Sequence, residues 1–365
     1  LKAEALTLSN GQHVTLTVNE DTKECHVTEG VFLKTEMGQW PLLGHTADLE
    51  SVAAAIEHPA LRDIAWLLHT PDIVVLPEIA GRPRLKALGW ADAHALARWL
   101  ARQRQAVEAL SWRALRHSRM GHYHERLWHY VLDHAPDTRL LATNVRIFHR
   151  RNTLGELDIL YRQRFDPAPI HLEVAIKFYL GLPDGPGEET SLSRWIGPGG
   201  LDSLALKCHR IARHQLPIAG TLPARKTLSH WLAPRDSGES LPPIGSQLAL
   251  PGVLFYPWHA RLAAPKGATA AHRRGLWCYL HDWPALAAGF PRDTLTAWLE
   301  KPHWLAPPSL ASFQPLNDVI TPILDRVMTY HAPQQVMLYH PHHDQTQRIF
   351  IVPSGWPRQI PLPPR

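Results

Sequence analysis

Apolar residues along this chain recur at two spacings, and the spacing changes abruptly at a few places. From about Ser51 they fall three and four apart. "SVAAAIEHPALRDIAWLLHT" and "DAHALARWLARQRQAVEAL" therefore predict two amphipathic helices. "GHYHERLWHYVLDHA" predicts a third, starting around Gly121 and ending before Pro136. Three strand-like runs follow, "RLLATNVRIFHR", "LGELDILYRQ" and "IHLEVAIKFYL", and the short turns between them predict antiparallel hairpins. A Gly/Pro-rich loop over 181–200 leads into "LDSLALKCHRIARHQL", where Leu204, Cys208 and Ile211 mark a buried helical face. Pro-rich sequence over 217–251 then interrupts the pattern before a strand, "GVLFYPW". The order helix, three strands, helix, strand predicts an α/β protein with an αβββαβ core around a mixed sheet.

The first residues differ in character from the rest. "LTLSNGQHVTLTVNEDTKECHVTEGVFLKTE" alternates β-branched and polar residues around Asn10-Gly11 and a polar Asn19-Glu20-Asp21 cluster, as a small β-meander does. The first methionine is Met37. The preceding residues are either a genuine β extension or sequence upstream of a natural start at Met37, and the second is favoured. The expected organisation is an acidic β-rich extension over 1–50, a helical region over 51–118, the core with its Pro-rich insertion over 119–257, and a Trp/Pro-rich region over 258–365.

Composition narrows the class. With 365 residues, 45% hydrophobic and 19% charged, the chain reads as a soluble globular protein of two domains, or of one with large insertions. No apolar run reaches the length of a membrane span, and the N-terminus lacks a signal-peptide pattern, so a cytoplasmic location without a membrane partner is expected. Cys25, Cys208 and Cys278 lie far apart and suggest neither a zinc site nor a disulfide framework. The net charge of +5 hides an asymmetry: residues 1–57 hold 3 basic and 9 acidic side chains, net −6, which leaves +11 for the remainder. A basic body suits a polyanionic partner such as nucleic acid; solvated surface arginines are the bland alternative.

The candidate chemistry lies in the strand-like runs. In residues 171–180 alternation puts Leu172, Val174, Ile176, Phe178 and Leu180 on one side and His171, Glu173, Ala175, Lys177 and Tyr179 on the other. A polar strip inside a covered strand is costly unless its charges bind something or each other. Glu156 and Asp158 share a face of the preceding run, and hairpin pairing lets Asp158 meet Glu173. Two carboxylates on adjacent strands form a hard-oxygen site suited to Mg²⁺ or Mn²⁺, and divalent-metal phosphodiester hydrolysis is the natural chemistry.

Gly155-Glu156-Leu157-Asp158, with Glu173 on the next run and Lys177 beyond it, resembles the GExD…(D/E)xK signature of the PD-(D/E)XK, or restriction-endonuclease-like, nucleases. "GELD", "HLEVAIKFYL", "IGPGGLDSLALK" and "WLEKPHWLAP" resemble more closely an uncharacterised bacterial family, domain of unknown function 1853, that has been placed in that superfamily. The resemblance implies a restriction-endonuclease-like core over about 119–257. It makes Asp158, Glu173 and the backbone carbonyl of Val174 metal ligands, with Glu125 as an additional acidic residue and Glu156 as a near neighbour of the metal or its water. It makes Lys177 the catalytic lysine, but with a departure, since the signature puts that lysine at the position of Ala175. Lys177 lies about 13 Å from Glu173 along a strand, against about 7 Å for the usual spacing. A nucleic-acid-binding relative that has lost catalysis is the runner-up, and a structural protein with an internal ion-pair network is a third reading.

Arg146, Arg150 and Arg151 near the first hairpin, with Lys207 and Arg210 on the following helix, are candidates to track a phosphate backbone, DNA being the expected partner. His122, Glu125 and His129 share a helical face, a spacing that 24 histidines also produce by coincidence. "YHPHHD", residues 339–344, reads as a solvated turn between two strands. The Trp-rich motifs read as core before they read as base-stacking platforms. No GxxxxGK[ST] loop or GxSxG elbow occurs, so any motor acting with a nuclease is expected to be a separate protein. The oligomeric state is not legible.

Overall fold

Two stretches of chain, residues 166–181 and 245–257, run side by side out of one β-sheet and into another. The computed structural model describes residues 2–7, 13–19, 24–27, 56–109, 119–232, 243–302 and 304–364. Residues 1–42 form one unit and residues 43–365 a second. In the first, β1 (Lys2–Thr7), β2 (His13–Asn19) and β3 (Glu24–Val27) make the antiparallel meander that their alternation predicts.

The second unit begins, among its described residues, with α1 (Pro59–His69), the short β4 (Ala80–Gly81), α2 (Ala93–Arg102) and α3 (Arg104–Ala109). Pro59 opens α1, where its missing N–H has no helical partner to lose. Asp92 caps α2 by accepting from the Ala95 N–H at 2.7 Å. α4 (Met120–His134) stops before Pro136 and is followed by β5 (Thr138–His149), β6 (Asn152–Gln163) and β7 (Asp166–Val174). These three strands are antiparallel neighbours joined at the turns Arg150-Arg151 and Arg164-Phe165. Next come β8 (Lys177–Gly181), β9 (Trp195–Ile196), α5 (Leu204–Arg210), α6 (Leu222–Leu232) and β10 (Gly245–Ala249). β10 lies parallel to β7, so a mixed sheet runs β4-β10-β7-β6-β5. The predicted order of helix, three strands, helix and strand is present in α4, β5 to β7, α5 with α6, and β10.

Two expectations need correction. The strand that closes this sheet is β10, inside the Pro-rich interval, whereas "GVLFYPW" is β11 (Gly252–Pro257) of a second sheet. The third strand-like run is also not one strand: it leaves the first sheet after Val174 and re-forms as β8 in the second. That sheet is completed by β12 (Arg273–Tyr279), β13 (Leu295–Leu299), β14 (Gln314–Pro315), β15 (Gln334–His340) and β16 (Gln345–Val352), with α7 (Trp283–Ala287) and α8 (Leu316–Tyr330) among them. Its order is β14-β13-β15-β16-β12-β11-β8-β9.

The crossing is held by backbone. Ala175 N–H donates to the Ala249 carbonyl at 2.9 Å and Lys177 N–H to the Pro251 carbonyl at 3.2 Å. Pro251 has no N–H to return, which weakens the ladder at the bend. The neighbouring Leu250 N–H turns instead to Asp72 Oδ1 at 2.8 Å. Gly252 packs so closely on Lys177 that a Cβ there would stand 1.8 Å from the Lys177 carbonyl oxygen. Alternation survives the bend: Leu172, Val174, Ile176, Phe178 and Leu180 enter one core cluster, and Ala175 and Tyr179 another. The first cluster continues through Trp277, Trp304 and Phe350, so the C-terminal third shares the core of the strands before it. The Trp-rich motifs accordingly supply core, with Trp277, Trp283 and Trp304 buried. The segment read as a turn at 339–344 does join two strands, β15 and β16.

Substituting Gly252→Ala is expected to lower unfolding stability by at least about 2 kcal/mol, because two backbones must part to admit a methyl group. Gly199→Ala, where a Cβ meets nothing within 4 Å, is the control and is expected to stay within about 0.5 kcal/mol of wild type. Denaturant unfolding of both variants checks this, and equal behaviour would show that the bend accommodates a side chain.

Candidate active site

Asp158 on β6 and Glu173 on β7 meet as the hairpin pairing predicts. The Val174 N–H donates to Asp158 Oδ2 at 3.1 Å, and the two carboxyl groups are close enough to shift each other's titration. Glu173 is 1% exposed. Its Oε1 accepts a short hydrogen bond from Gln215 Nε2 and lies 3.4 Å from Lys207 Nζ, which also donates to Gln215 Oε1 at 2.9 Å. Glu173 Oε2 is buried without a hydrogen bond. Burial pushes both carboxyls above the ordinary range. The Asp158 charge raises Glu173 further, to about 8, against the pull of Lys207. For Asp158 the Val174 N–H opposes the rise, and the Glu125 charge adds to it. The pair titrates as a unit holding one proton well above the pH at which a free carboxyl loses it.

Lys207 reaches this pair from α5. Ser203 starts the helix by accepting from the Leu206 N–H at 3.2 Å. A π-helical turn over Ile211–Gln215 extends it. In a regular helix residues eight apart are rotated by about 80° from each other. The wider turn takes up that offset, so Lys207 and Gln215 converge on one carboxylate. The sequence makes Lys207, with Arg210, a candidate to track a phosphate backbone from the helix surface. The structure buries Lys207 to 9% exposure and leaves only Arg210 exposed. A signal was present: Lys207 falls at i+3 between Leu204 and Ile211, within the buried stripe.

Lys177 pairs elsewhere in this structure and not with the two carboxyls. Its Nζ donates to Asp202 Oδ2 at 2.5 Å, and the Tyr179 hydroxyl donates to the same oxygen at 3.1 Å. The side of the strand was read correctly, but Lys177 lies beyond the bend in the second sheet, where the loop before α5 supplies its counter-ion. Val174 contributes the N–H just described.

Glu125 projects from α4, accepts from Asn144 Nδ2 at 2.9 Å and is close enough to raise Asp158. Glu156 is ion-paired with Arg146 at 3.5 Å. Both carboxylates line a groove of about 610 Å³ with His122, Arg126, His129 and Arg146. Burial and the Arg126 charge push His129 down to about 4, which keeps it neutral at physiological pH. Arg150 and Arg151 form the exposed turn of the β5–β6 hairpin, Arg150 with a φ of 59°. Among the described residues no three His, Cys, Asp or Glu side chains gather as a ready-made metal cage. The two central carboxylates, buried oxygen donors with one oxygen unsatisfied, still suit a hard cation that draws further ligands from water or substrate.

The chain belongs to the family described as Domain of unknown function (DUF1853), whose model matches residues 62–352. No curated protein and no solved structure matches it. No helix among the described residues is long and apolar enough to cross a membrane.

The raised carboxyls make metal-free stability depend on pH with a definite sign. The folded state keeps a proton that the unfolded chain gives up near 4.5, so the pair's contribution falls as pH rises from there through about 8. Relative to Glu173→Gln, wild type is expected to lose stability steadily across that window, read by denaturant melts in EDTA at several pH values. A difference between the two proteins that does not vary with pH would show that Glu173 ionises normally.

Proposed function

We propose that this DUF1853 protein hydrolyses phosphodiester bonds of nucleic acid, DNA being the expected substrate, with the help of a divalent metal at the Asp158–Glu173 pair. One observation carries the reading: two carboxylates on adjacent strands are buried together, with one lysine beside them and one oxygen unsatisfied. Such a pair is poorly compensated without a cation. The αβββαβ order and the Gly155-to-Asp158 motif followed by Glu173 support placing the core among the PD-(D/E)XK nucleases.

Asp158, Glu173 and the Val174 carbonyl would hold Mg²⁺ or Mn²⁺, which when bound supplies a Lewis acid for water activation and charge neutralisation. The remaining work belongs to the chain. The Val174 N–H fixes the Asp158 carboxylate, and Gln215 holds Glu173 and Lys207 in register. Lys207 supplies the ammonium that the family signature puts at the position of Ala175; it orients the attacking water and offsets charge on the phosphoryl oxygens. Arg126 and Arg146 line the groove with Glu125 and would position a phosphate backbone there. A second reading, a nucleic-acid-binding relative without catalysis, draws on the absence of a three-ligand cluster among the described residues and on the occupation of Glu173 Oε1 by Lys207 and Gln215.

Labelled single- and double-stranded DNA and RNA, incubated with Mg²⁺, Mn²⁺ or EDTA, decide between them. Cleavage is expected with metal only, abolished in Asp158→Ala and Glu173→Ala. It is expected to fall at least ~100-fold in Lys207→Ala, on the scale of losing one stabilising donor, while folded Lys177→Ala keeps cutting. The reverse ranking of the two lysines would return the role to Lys177. Salt-dependent retardation without cutting by wild type would establish the second reading.

A further inference from the structure

The turn between β6 and β7 is built from residues that a turn does not need. Gln163 pairs with Asp166, so Arg164 and Phe165 occupy the two loop positions where Gly, Asn or Asp is usual. Phe165 is 85% exposed. Beside it Arg139 and Arg162 stand directly opposite each other on β5 and β6. Like charges at such a cross-strand position destabilise a sheet. Among the described residues neither is ion-paired. Arg164 is paired, to Asp137 Oδ1 at 3.6 Å, and its guanidinium lies 5.5 Å from the centre of the Phe165 ring. Its backbone N–H also donates to the Asp137 carbonyl at 2.8 Å, which ties the turn to the chain entering β5. The three guanidinium groups and Phe165 line one groove of about 470 Å³ with Pro136, Thr138 and Gln163.

Three arginines around an exposed ring match a phosphate backbone whose bases are free to stack. We infer that the β6–β7 turn docks unpaired nucleotides, with Arg139, Arg162 and Arg164 on the phosphates and Phe165 on a base. The inference rests on the nucleic-acid reading above and names the form of nucleic acid. A duplex offers the same phosphates but hides its base faces, so Phe165 confers the preference for a single strand. Arg162 lies four residues from Asp158 on the same strand, about 13 Å away at strand rise. A strand gripped at the turn is therefore within a short reach of the carboxylates.

Fluorescence anisotropy in EDTA tests this without any cleavage, using a labelled oligothymidylate of about 20 nucleotides, a duplex of the same length, and inorganic tripolyphosphate as competitor. Phe165→Ala is expected to weaken the single strand by ~5- to 100-fold and to leave the duplex within about twofold. Arg139→Glu is expected to weaken single-strand binding and flatten its salt dependence by about 0.7 in log–log slope or more. It is also expected to raise the melting temperature by relieving the like-charge pair, which separates lost binding from lost folding. Single-strand affinity unchanged in both variants overturns the proposal. So does displacement by tripolyphosphate at equal phosphate concentration with Phe165→Ala binding normally, since the turn is then a simple anion patch. Failure of wild type to cut with metal while these binding effects hold would sink the hydrolytic reading alone; normal cutting with unaltered binding in the variants would sink the docking site alone.

Discussion

The contact between Gly252 and the carbonyl of Lys177 fixes where the two sheets join, and much of the molecule follows from it. Two parallel strands cannot bend together from one sheet into another unless their backbones approach closely, and only a residue without a side chain allows that approach here. The bend begins one residue after Val174, so Glu173 sits at the end of the first sheet with α5 packed over it. Asp158 is brought alongside by the hairpin register. Burial of both carboxyls is thus a consequence of topology, and the shared proton is the response of a desolvated pair that has one lysine for two acids.

This arrangement gives the same atoms two descriptions. Without a metal, Glu173 keeps a proton, and Lys207 and Gln215 satisfy one of its oxygens. On the proposed metal-dependent reading, a hard cation would displace that proton and take both carboxylates as ligands. The local cost of a buried acid pair is the sort of inconsistency expected where function overrides stability. The facing arginines on β5 and β6 are another, on the neighbouring hairpin that shares β6. Ion pairs such as Lys177–Asp202 and Arg146–Glu156 are, in contrast, locally balanced.

Much of this was legible in the sequence, for local reasons. Alternation in residues 171–180 identified the core side of the strand correctly through the bend, because side-chain direction depends only on the pleat. Short turns fixed the hairpins, and hairpin register placed Asp158 beside Glu173. Sequence distance failed where the chain changes sheets. Lys177 is on the right side but past the crossing, and nothing local marks the bend except Gly252 and Pro251, which lie some 75 residues further along. Lys207 reads from sequence as a surface residue for a phosphate backbone because lysine in a helix normally reaches solvent; its place in the Leu204–Ile211 stripe is the sign of its burial. β10 was missed because Pro-rich sequence surrounds a five-residue strand, and the C-terminal sheet because its parallel neighbours are far apart in the chain.

On the proposed reading, Asp158 and Glu173 hold one proton until a hard divalent cation replaces it. Calorimetric titration of metal-free protein with Mn²⁺ at neutral pH, in two buffers of different ionisation enthalpy, measures that exchange directly. The account predicts a single site whose occupation releases about one proton, with both binding and release absent in Asp158→Asn. Binding without proton release, or no binding at all, would contradict it.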